Sequence, residues 1–326
     1  MADAPAGQAT DPSAEGSATP LRWIGGRWWV TALIVVAASL AVVAAFELTT
    51  TLINTKRFSW DNVRYLRMAR EWFAYETMTS PFAYRWGTPM LARVLSDVLG
   101  VVLPTGFRLV AWAGAVLQLV SVFYLVVTVS RSVRAAWAGW VVTALSVWNI
   151  RFLVFDPFRP DHLAYPIVIL ATLAAYRRRW GWLIALTVLG APIREFTVVP
   201  LLAAVVMLAW NRDWKALARW ALPFVAALFV AVVLPRMLIP VVKSRQTVDI
   251  DTFVGDMARL LTFWTRHLNI LLGYVSYAVP ALMLFTPTRF GEVWRGLGRD
   301  LQRYLVAYSA FVFALVFMGG TDIHRF

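Results

Sequence analysis

Side chains that could carry acid–base chemistry collect in a few short segments of an otherwise apolar chain. The densest segment reads FDPFRPDHLAYP over 155–166 and holds Asp156, Arg159, Asp161 and His162. Carboxylates and imidazoles act as general acids and bases when they lie within hydrogen-bond reach of a substrate. Arginines bind phosphate groups through paired hydrogen bonds. The segment therefore has the residue types of a site that moves protons beside an anionic group.

Proline shapes this segment, and aspartate beside proline also has an ordinary structural role. Asp156 and Asp161 each neighbour a proline, where aspartate commonly forms turns, and Asp161 could simply cap the helix that follows. Proline fixes φ and disfavours helix for itself and for the residue before it. The prolines concerned are Pro157, Pro160 and Pro166. We therefore expect a stiff, non-helical loop that presents two carboxylates and an imidazole as one unit.

Two other polar segments hold candidates of the same kind. In FSWDNVRYL, Asp61 stands where a helix begins, so it is either a helix cap or a general base held at a surface. In GAPIREFTVVP, Glu195 follows Arg194 after a short apolar run, and the two could form a local ion pair. The other interpretation turns both side chains toward a site between helices, because broken helices at membrane depth line protein or a wet cavity.

The surrounding composition is that of a membrane protein. Of 326 residues, 60% are hydrophobic and only 15% are charged, whereas soluble domains carry about 25% charged residues. Several apolar runs, three of them short, are candidates for crossing about 30 Å of hydrocarbon. We place them at 29–48, 107–130, 135–153, 163–176, 181–191, 196–210, 219–241, 267–286 and 302–318. The sequence thus predicts an all-α, polytopic membrane protein with about nine transmembrane helices.

Basic residues fall in every second connection between these runs. Cytoplasmic loops carry an excess of arginine and lysine, so the pattern predicts a cytoplasmic N-terminus. The residues are Arg22, Arg27, Arg131, Arg134, Arg177, Arg178, Arg179, Arg212, Lys215, Arg219, Arg289, Arg295, Arg299 and Arg303. Membrane anchoring then explains the net charge of +13 better than nucleic-acid binding does. Residues 1–20 are rich in Ala, Pro, Gly and Ser and predict a disordered cytoplasmic tail before a membrane domain at 21–326.

In this threading the polar segments share the outer side of the membrane. The outer segments are 49–106, 154–162, 192–195, 242–266 and the C-terminus, and they contain His162, His267, His324, Asp249, Asp251 and Asp322. The first outer loop is too long for a simple connection. We expect it to contain an amphipathic helix at 61–75 and a second helix at 88–99. Val63, Leu66, Ala69 and Phe73 would form the apolar side of the first helix.

Several chemistries lack their sequence signatures. There is no Gly-x-Ser-x-Gly elbow, Walker loop, HExxH motif or Rossmann fingerprint. The absence of cysteine excludes disulfides and thiolate metal sites. Asp249-x-Asp251 is a weak metal-binding pattern and is more typical of a solvated loop.

Taken together, the segments resemble the bacterial GT-C-type membrane glycosyltransferases over roughly 58–326. The likeness rests on an Asp-x-x-x-Tyr loop in FSWDNVRYL, a Pro-Phe-x-Tyr-Arg segment in SPFAYRWG, and the Arg-Glu pair of GAPIREF. The resemblance implies a polyprenyl-phosphate sugar as donor and a glycan, lipid or protein hydroxyl as acceptor. It also implies an active site at the outer face of the bacterial inner membrane. Such proteins usually continue through further spans, so the resemblance implies that this chain is truncated at its C-terminus.

The resemblance assigns roles to the candidate residues. It makes Asp61 the catalytic base or a metal-linked residue. Our hypothesis from the residues themselves adds that Asp156, Asp161 and Glu195 assist by acceptor binding or metal coordination. Mg²⁺ or Mn²⁺ is the metal that it allows, with Asp61 and Asp156 as ligands. The residues expected to bind the substrate are Tyr65, Tyr84, Arg85, Arg159, His162 and Arg194.

Other membrane functions remain open at this point. A transporter or flippase would also need polar groups at the outer face, but it usually carries an ionisable residue in the middle of a span or an internal repeat. An enzyme similar to the O-antigen polymerases would have arginine-rich outer loops without needing Asp61. A non-catalytic membrane scaffold would need none of the outer carboxylates.

Overall fold

A computed structural model describes residues 28–53, 61–72, 78, 82–146, 150–239, 291 and 294–319. Every regular element within these ranges is helical, which confirms the all-α prediction for the described chain. The α-helices are α1 Trp28–Thr49, α2 Asp61–Glu71, α3 Gly87–Leu99, α4 Leu103–Ser130, α5 Val133–Leu145, α6 Phe152–Phe155, α7 Asp161–Tyr176, α8 Trp180–Gly190, α9 Val199–Trp210, α10 Trp214–Leu228, α11 Leu234–Leu238 and α12 Arg299–Gly319. Two 3₁₀ turns cover Phe82–Tyr84 and Glu195–Val198, and a π-helical segment covers Phe229–Val233.

Three of the described helices are long and apolar enough to cross a membrane: α1, α4 and the continuous helix Trp214–Leu238. Four shorter apolar helices have 10–17 residues. At 1.5 Å per residue, an 11-residue helix such as α8 covers about 16 Å, roughly half of a hydrocarbon core. Among the described residues the structure thus shows three candidate spans, and it does not confirm nine. The expected span at 267–286 and the expected tail at 1–20 lie outside the described residues.

The expected run 135–153 is not one helix. Its helical part, α5, ends at Leu145, and Ser146 is extended with ψ of 106°. The four residues of α6, Phe152–Phe155, follow, and the polar segment 155–166 begins at the last of them. Ser and Asn break the apolar run near this point, and such residues favour turns and helix ends because their side chains compete for backbone hydrogen bonds.

Helix α4 lies at the centre of the bundle and packs against α1, α3, α5 and α7. Small residues allow the closest of these contacts. A Cβ added at Gly106 would lie 2.4 Å from the carbonyl oxygen of Ala92 on α3, and one added at Gly114 would lie 2.4 Å from that of His162 on α7. Close backbone approach at glycine is a common packing device between membrane helices.

The close approach at Gly114 also explains how α7 accommodates a proline. We expected Pro166 to exclude helix, but it lies inside α7, so this prediction was wrong. Proline removes the hydrogen bond that its N–H would have made to the His162 carbonyl. That carbonyl is the group against which α4 packs at Gly114, so tertiary contact holds the helix together there.

The segment 49–106, which we expect to be the first outer loop, contains both expected helices, with one correction. Helix α3 matches its predicted range within one residue, and α2 ends at Glu71, short of the predicted 75. Val63 is 38% exposed, so it does not belong to the buried side of α2. The buried side consists of Asn62, Tyr65, Leu66, Met68 and Ala69, while Phe73 lies outside the described residues. The helix is turned this way because the Tyr65 ring packs edge-on against Phe82.

Alternate connections of the chain meet at opposite ends of the bundle. At one end, the backbone N–H of Ile53 donates to the Phe155 carbonyl at 2.9 Å, and that of Gly87 donates to the Pro192 carbonyl at 2.7 Å. At the other end, Arg178 forms ion pairs with Asp213 at 2.9 Å and Asp300 at 2.7 Å. The two sets of alternating connections that the sequence distinguishes therefore lie at opposite ends of the described bundle.

The helix Trp214–Leu238 is interrupted near the first of these ends. Its π-helical segment Phe229–Val233 leads into α11, where Pro235 follows the first residue. The guanidinium of Arg236 lies 4.9 Å from the ring centre of Tyr84 in the 3₁₀ turn. This contact links the helix to the first outer loop.

The glycine packing at α4 and α7 gives a direct test of the fold. Gly114→Ala places a methyl group against backbone atoms that cannot rotate away, and overpacking of this kind typically costs about 1–3 kcal/mol. We expect a lower midpoint of thermal unfolding for the purified protein in detergent.

Gly181→Ala is the matched control. A Cβ at Gly181 meets nothing within 4 Å, and alanine is the better helix former by about 0.5–1 kcal/mol. Its midpoint should be unchanged or higher. Equal midpoints for both variants would contradict the close approach of α4 and α7.

Candidate functional site

Five polar side chains from four separate segments meet at the end of the bundle where Gly87 contacts Pro192. We call this group the polar cluster; it consists of Tyr65, Arg85, Asp161, Arg194 and Glu195. Tyr65 comes from α2, Arg85 from the residue after the first 3₁₀ turn, Asp161 from the start of α7, and Arg194 and Glu195 from the second 3₁₀ turn and its N-cap. All five were expected site residues, and the fold brings them together.

Arg85 is the centre of one half of the polar cluster. Its Nε donates to both carboxylate oxygens of Glu195, at 3.1 and 2.9 Å, and its Nη1 donates to the Tyr65 hydroxyl at 3.2 Å. The side chains of Arg85 and Glu195 are 13% and 27% exposed. These hydrogen bonds fix the orientation of the Arg85 guanidinium, and the Arg85 side chain keeps a small exposed fraction.

Arg194 is the centre of the other half. Its Nε lies 3.2 Å from Oδ1 of Asp161 in an ion pair. The Arg194 backbone is fixed as well, since its N–H donates to the Gly190 carbonyl and its own carbonyl accepts from Thr197. Arg194 therefore pairs with Asp161 and Glu195 pairs with Arg85, so the local Arg194–Glu195 pair that the sequence allowed is not the one that forms.

These pairings also decide between interpretations of Asp161. The N-cap of α7 is Pro160, and no side-chain cap hydrogen bond is present there. Asp161 occupies the first turn instead, where a carboxylate complements the helix dipole, and its side chain is directed to Arg194. The cap interpretation of Asp161 is therefore wrong.

Tyr65 is fully buried beneath the two arginines. Burial raises the pKa of its hydroxyl above the ordinary value of 10.0, and the positive charges of Arg85 and Arg194 offset this only in part. The hydroxyl is therefore protonated at neutral pH. It accepts from Arg85 and keeps a hydrogen that it can donate.

Asp61 lies beside the polar cluster rather than in its ion pairs. It is the first residue of α2, one turn before Tyr65 and half-buried. Residues four apart on a helix share a face and are separated by about 6 Å along the axis. Asp61 is therefore a partly exposed residue on the helix face that carries Tyr65 into the cluster.

The polar segment at 155–166 forms a buried layer behind the polar cluster. Asp156 is completely buried, and its Oδ2 accepts from Nε of Arg159 at 2.9 Å. Arg159 also lies 5.0 Å from the ring centre of Phe152. Burial raises the pKa of the Asp156 carboxyl above 3.8, and the Arg159 guanidinium and the Phe158 backbone amide lower it only in part.

His162 is completely buried in the same layer. Within the described residues, neither ring nitrogen has a hydrogen-bond partner of acceptable geometry, although the ring lies near the backbone of Asp156 and Pro157. Asp156 and His162 thus have no exposed surface with which to touch a ligand. They are buried residues of the same segment as Asp161, the partner of Arg194.

The described side chains do not form a recognisable metal site. They contain no group of three or more His, Cys, Asp or Glu residues that could hold a metal ion. Of the two expected ligands, Asp156 is buried and engaged by Arg159. The pair Asp61 and Asp156 therefore does not fit a metal site in this arrangement.

Sequence reasoning missed Glu47, the acidic residue in the last turn of α1. Its carboxylate is ion-paired with Arg108 and accepts from the indole Nε1 of Trp112 at 2.9 Å. The signal was an acid near the end of an otherwise uncharged apolar helix, where a polar partner is required. His267, His324, Asp249, Asp251 and Asp322 lie outside the described residues.

Comparison with known proteins adds no family assignment. No protein-family model, no curated protein and no solved structure matches this chain.

The Arg85–Glu195 pair is testable by matched substitutions. Arg85→Gln leaves a half-buried carboxylate without its partner, and the loss of a hydrogen bond to a charged group costs about 1.5–3 kcal/mol. We expect a clear fall in unfolding free energy for Arg85→Gln. The double variant Arg85→Gln with Glu195→Gln should lose less than the sum of the single losses.

Arg93→Gln is the control for this double-mutant cycle, and it should lower the unfolding free energy much less than Arg85→Gln. Arg93 forms an exposed i,i+4 pair with Asp97 on α3, and such pairs contribute about 0.3–0.5 kcal/mol. Additive effects in the Arg85 and Glu195 cycle would contradict direct pairing.

Asp156 should make stability depend on pH in a defined direction. Because its pKa is raised in the folded protein, the folded state binds this proton more tightly than the unfolded state. Its contribution to stability is complete below pH 3.8 and is lost as pH rises through the folded pKa. Relative to Asp156→Asn, the wild-type midpoint of unfolding should therefore fall as pH rises above about 4.

The measurement is a series of thermal unfolding curves between acidic and neutral pH. Asp97→Asn, at an exposed carboxylate, serves as the control and should run parallel to wild type. A constant difference between wild type and Asp156→Asn across this range would show that Asp156 titrates normally.

Proposed function

We propose that this chain is a GT-C-like membrane glycosyltransferase that transfers a sugar from a polyprenyl-phosphate donor to an acceptor hydroxyl. The observation that carries the proposal is the polar cluster, in which two arginines are held by two carboxylates and a buried tyrosine. Four segments far apart in sequence contribute to it. A fold that gathers such residues at one end of an apolar helix bundle is suited to a substrate with an anionic head and an apolar tail.

The proposal includes insertion in the bacterial inner membrane, with the N-terminus in the cytoplasm and the polar cluster at the outer face. The three long apolar helices support insertion. The arginine-rich connections at the opposite end support the orientation, since cytoplasmic loops are enriched in basic residues.

Arg85 and Arg194 would bind the donor phosphate. Each guanidinium carries five N–H donors in a fixed fork, and the carboxylate partners engage Nε of both arginines. Glu195 and Asp161 therefore orient the arginines and reduce their net charge before the donor arrives. As the sugar leaves the lipid phosphate, negative charge grows on the phosphate oxygens, and preorganised donors stabilise that charge.

Asp61 would act as the general base. The acceptor hydroxyl attacks the anomeric carbon, a new C–O bond forms, the bond to the phosphate oxygen breaks, and the hydroxyl proton passes to the Asp61 carboxylate. An accessible carboxylate within hydrogen-bond reach is the requirement for this role. Tyr84 would contact the sugar or phosphate beside it. Tyr65, which is fully buried, would instead hold Arg85 in place, and Asp156, Arg159 and His162 would support the site from behind.

Asp61→Asn tests the assignment, because an amide keeps the shape of the side chain but cannot accept the proton. We expect transfer to fall by a factor of about 10²–10⁴, the usual contribution of a general base, with the midpoint of unfolding unchanged. The assay follows radiolabelled sugar from a panel of polyprenyl-phosphate sugars into envelope glycans, using membranes from a deletion strain that carries each variant.

Glu71→Gln is the matched control on the same helix. Glu71 forms an exposed i,i+4 pair with Arg67, so its removal should leave transfer unchanged. Full activity of Asp61→Asn would refute the base assignment. Loss of activity in Arg85→Gln and Arg194→Gln combined with full activity in Asp61→Asn would instead favour a polymerase-like enzyme.

A further inference from the structure

Helices α1 and α4 form the two walls of an open apolar groove that lies outside the polar cluster. The groove has a volume of about 470 Å³ and is lined by Val36, Leu40, Trp112, Ala113, Val116, Leu117 and Val120. Leu40 is 53% exposed and Leu117 is 42% exposed, so the groove is open along its length. Each wall is one of the long helices that could cross a membrane.

The groove ends at a charged group. The side chains of Glu47 and Arg108 form an ion pair there, and Trp112, which lines the groove, donates its indole N–H to the same carboxylate. Glu47 is 19% exposed and Arg108 is 39% exposed, so the guanidinium faces outward from the pair. The Nε of Arg108 is buried and has no hydrogen-bond partner among the described residues, so a ligand would meet the exposed part of the side chain instead.

The dimensions of this surface match one leaflet of a bilayer. Arg108 and Val120 are twelve positions apart on α4, a rise of about 18 Å, and half of a hydrocarbon core is about 15 Å. A guanidinium at one end and an apolar trough of this length below it complement a phosphate headgroup and its attached hydrocarbon chain. Arginine is well suited to phosphate because its planar fork donates paired hydrogen bonds.

We propose that this groove is a binding site for one membrane glycerophospholipid. Its phosphodiester would accept hydrogen bonds from Arg108, and one acyl chain would lie along Leu40, Trp112 and Leu117. The site rests on the membrane insertion in the proposed function, but it requires neither Asp61 nor sugar transfer. Bound there, the lipid would fill the gap between α1 and α4.

Native mass spectrometry of the full chain, released from detergent in the presence of a defined glycerophospholipid, tests this site. We expect one tightly retained lipid per wild-type chain. Arg108→Gln should weaken retention by about tenfold or more, since a hydrogen bond to a charged group is lost. Ala113→Phe should also expel the lipid, because Ala113 is exposed within the groove and the ring would occupy the place of the acyl chain.

Matched variants separate this site from general lipid contact. Arg93→Gln removes an exposed guanidinium outside the groove, and Ala226→Phe adds a ring at an exposed position of α10. Both should retain lipid as wild type does. Ala113→Phe leaves the ion pair intact, so it remains informative if Arg108→Gln fails to fold.

Three outcomes would overturn the proposal. Equal retention by all five proteins would show unspecific contact, and retention by none would show that the groove holds no lipid. Displacement of the glycerophospholipid by an equimolar polyprenyl phosphate would assign the groove to the donor tail instead. If the wild-type chain retains no lipid but transfers sugar normally, this site is refuted and the proposed function stands. If it retains lipid but transfers no sugar, the proposed function is refuted and this site stands.

Discussion

The ion pair between Arg85 and Glu195 is the contact on which the arrangement of the polar cluster depends. A charged group removed from water is stable only when an opposite charge and hydrogen bonds replace the lost hydration. The two residues are 110 positions apart, so their contact requires the first outer loop to fold over the end of α8. Gly87 reinforces the same meeting, because its N–H donates to the Pro192 carbonyl and its lack of a side chain leaves room for Ile193.

The opposite end of the bundle is organised by the same requirement with different partners. There Arg178 bridges Asp213 and Asp300, and the Asn211 amide donates to Asp300 at 2.6 Å. The connections after α7 and α9 are thereby joined to the start of α12. Between the two charged ends lie apolar core clusters, and small residues such as Gly114 set the helix spacing. The bundle is therefore fixed at both ends by charge and in the middle by shape.

The sequence predicted which segments meet but not how their side chains pair. The alternation of basic connections and the helices predicted at 61–75 and 88–99 follow from charge bias and periodicity, which are local signals. Glu195 pairs with Arg85 rather than with its neighbour Arg194, and no local signal specifies that choice. Extended backbone at Arg194, with φ of −158° and ψ of 135°, directs adjacent side chains to different sides. The short apolar helices are not confirmed as spans, because hydropathy reports composition and not the length of the helix that forms.

The π-helical segment Phe229–Val233 has a consequence for the register of the residues after it. A π segment places one more residue in a turn than an α-helix does, so the chain beyond it is rotated by about 100° relative to an uninterrupted helix. This rotation brings Arg236 over the ring of Tyr84. If this segment had one residue fewer, the helix could continue as a regular α-helix of nearly the same hydropathy. Arg236 would then point away from the first outer loop. The number of residues in this helix, as well as their identity, therefore determines which side chain lies against Tyr84.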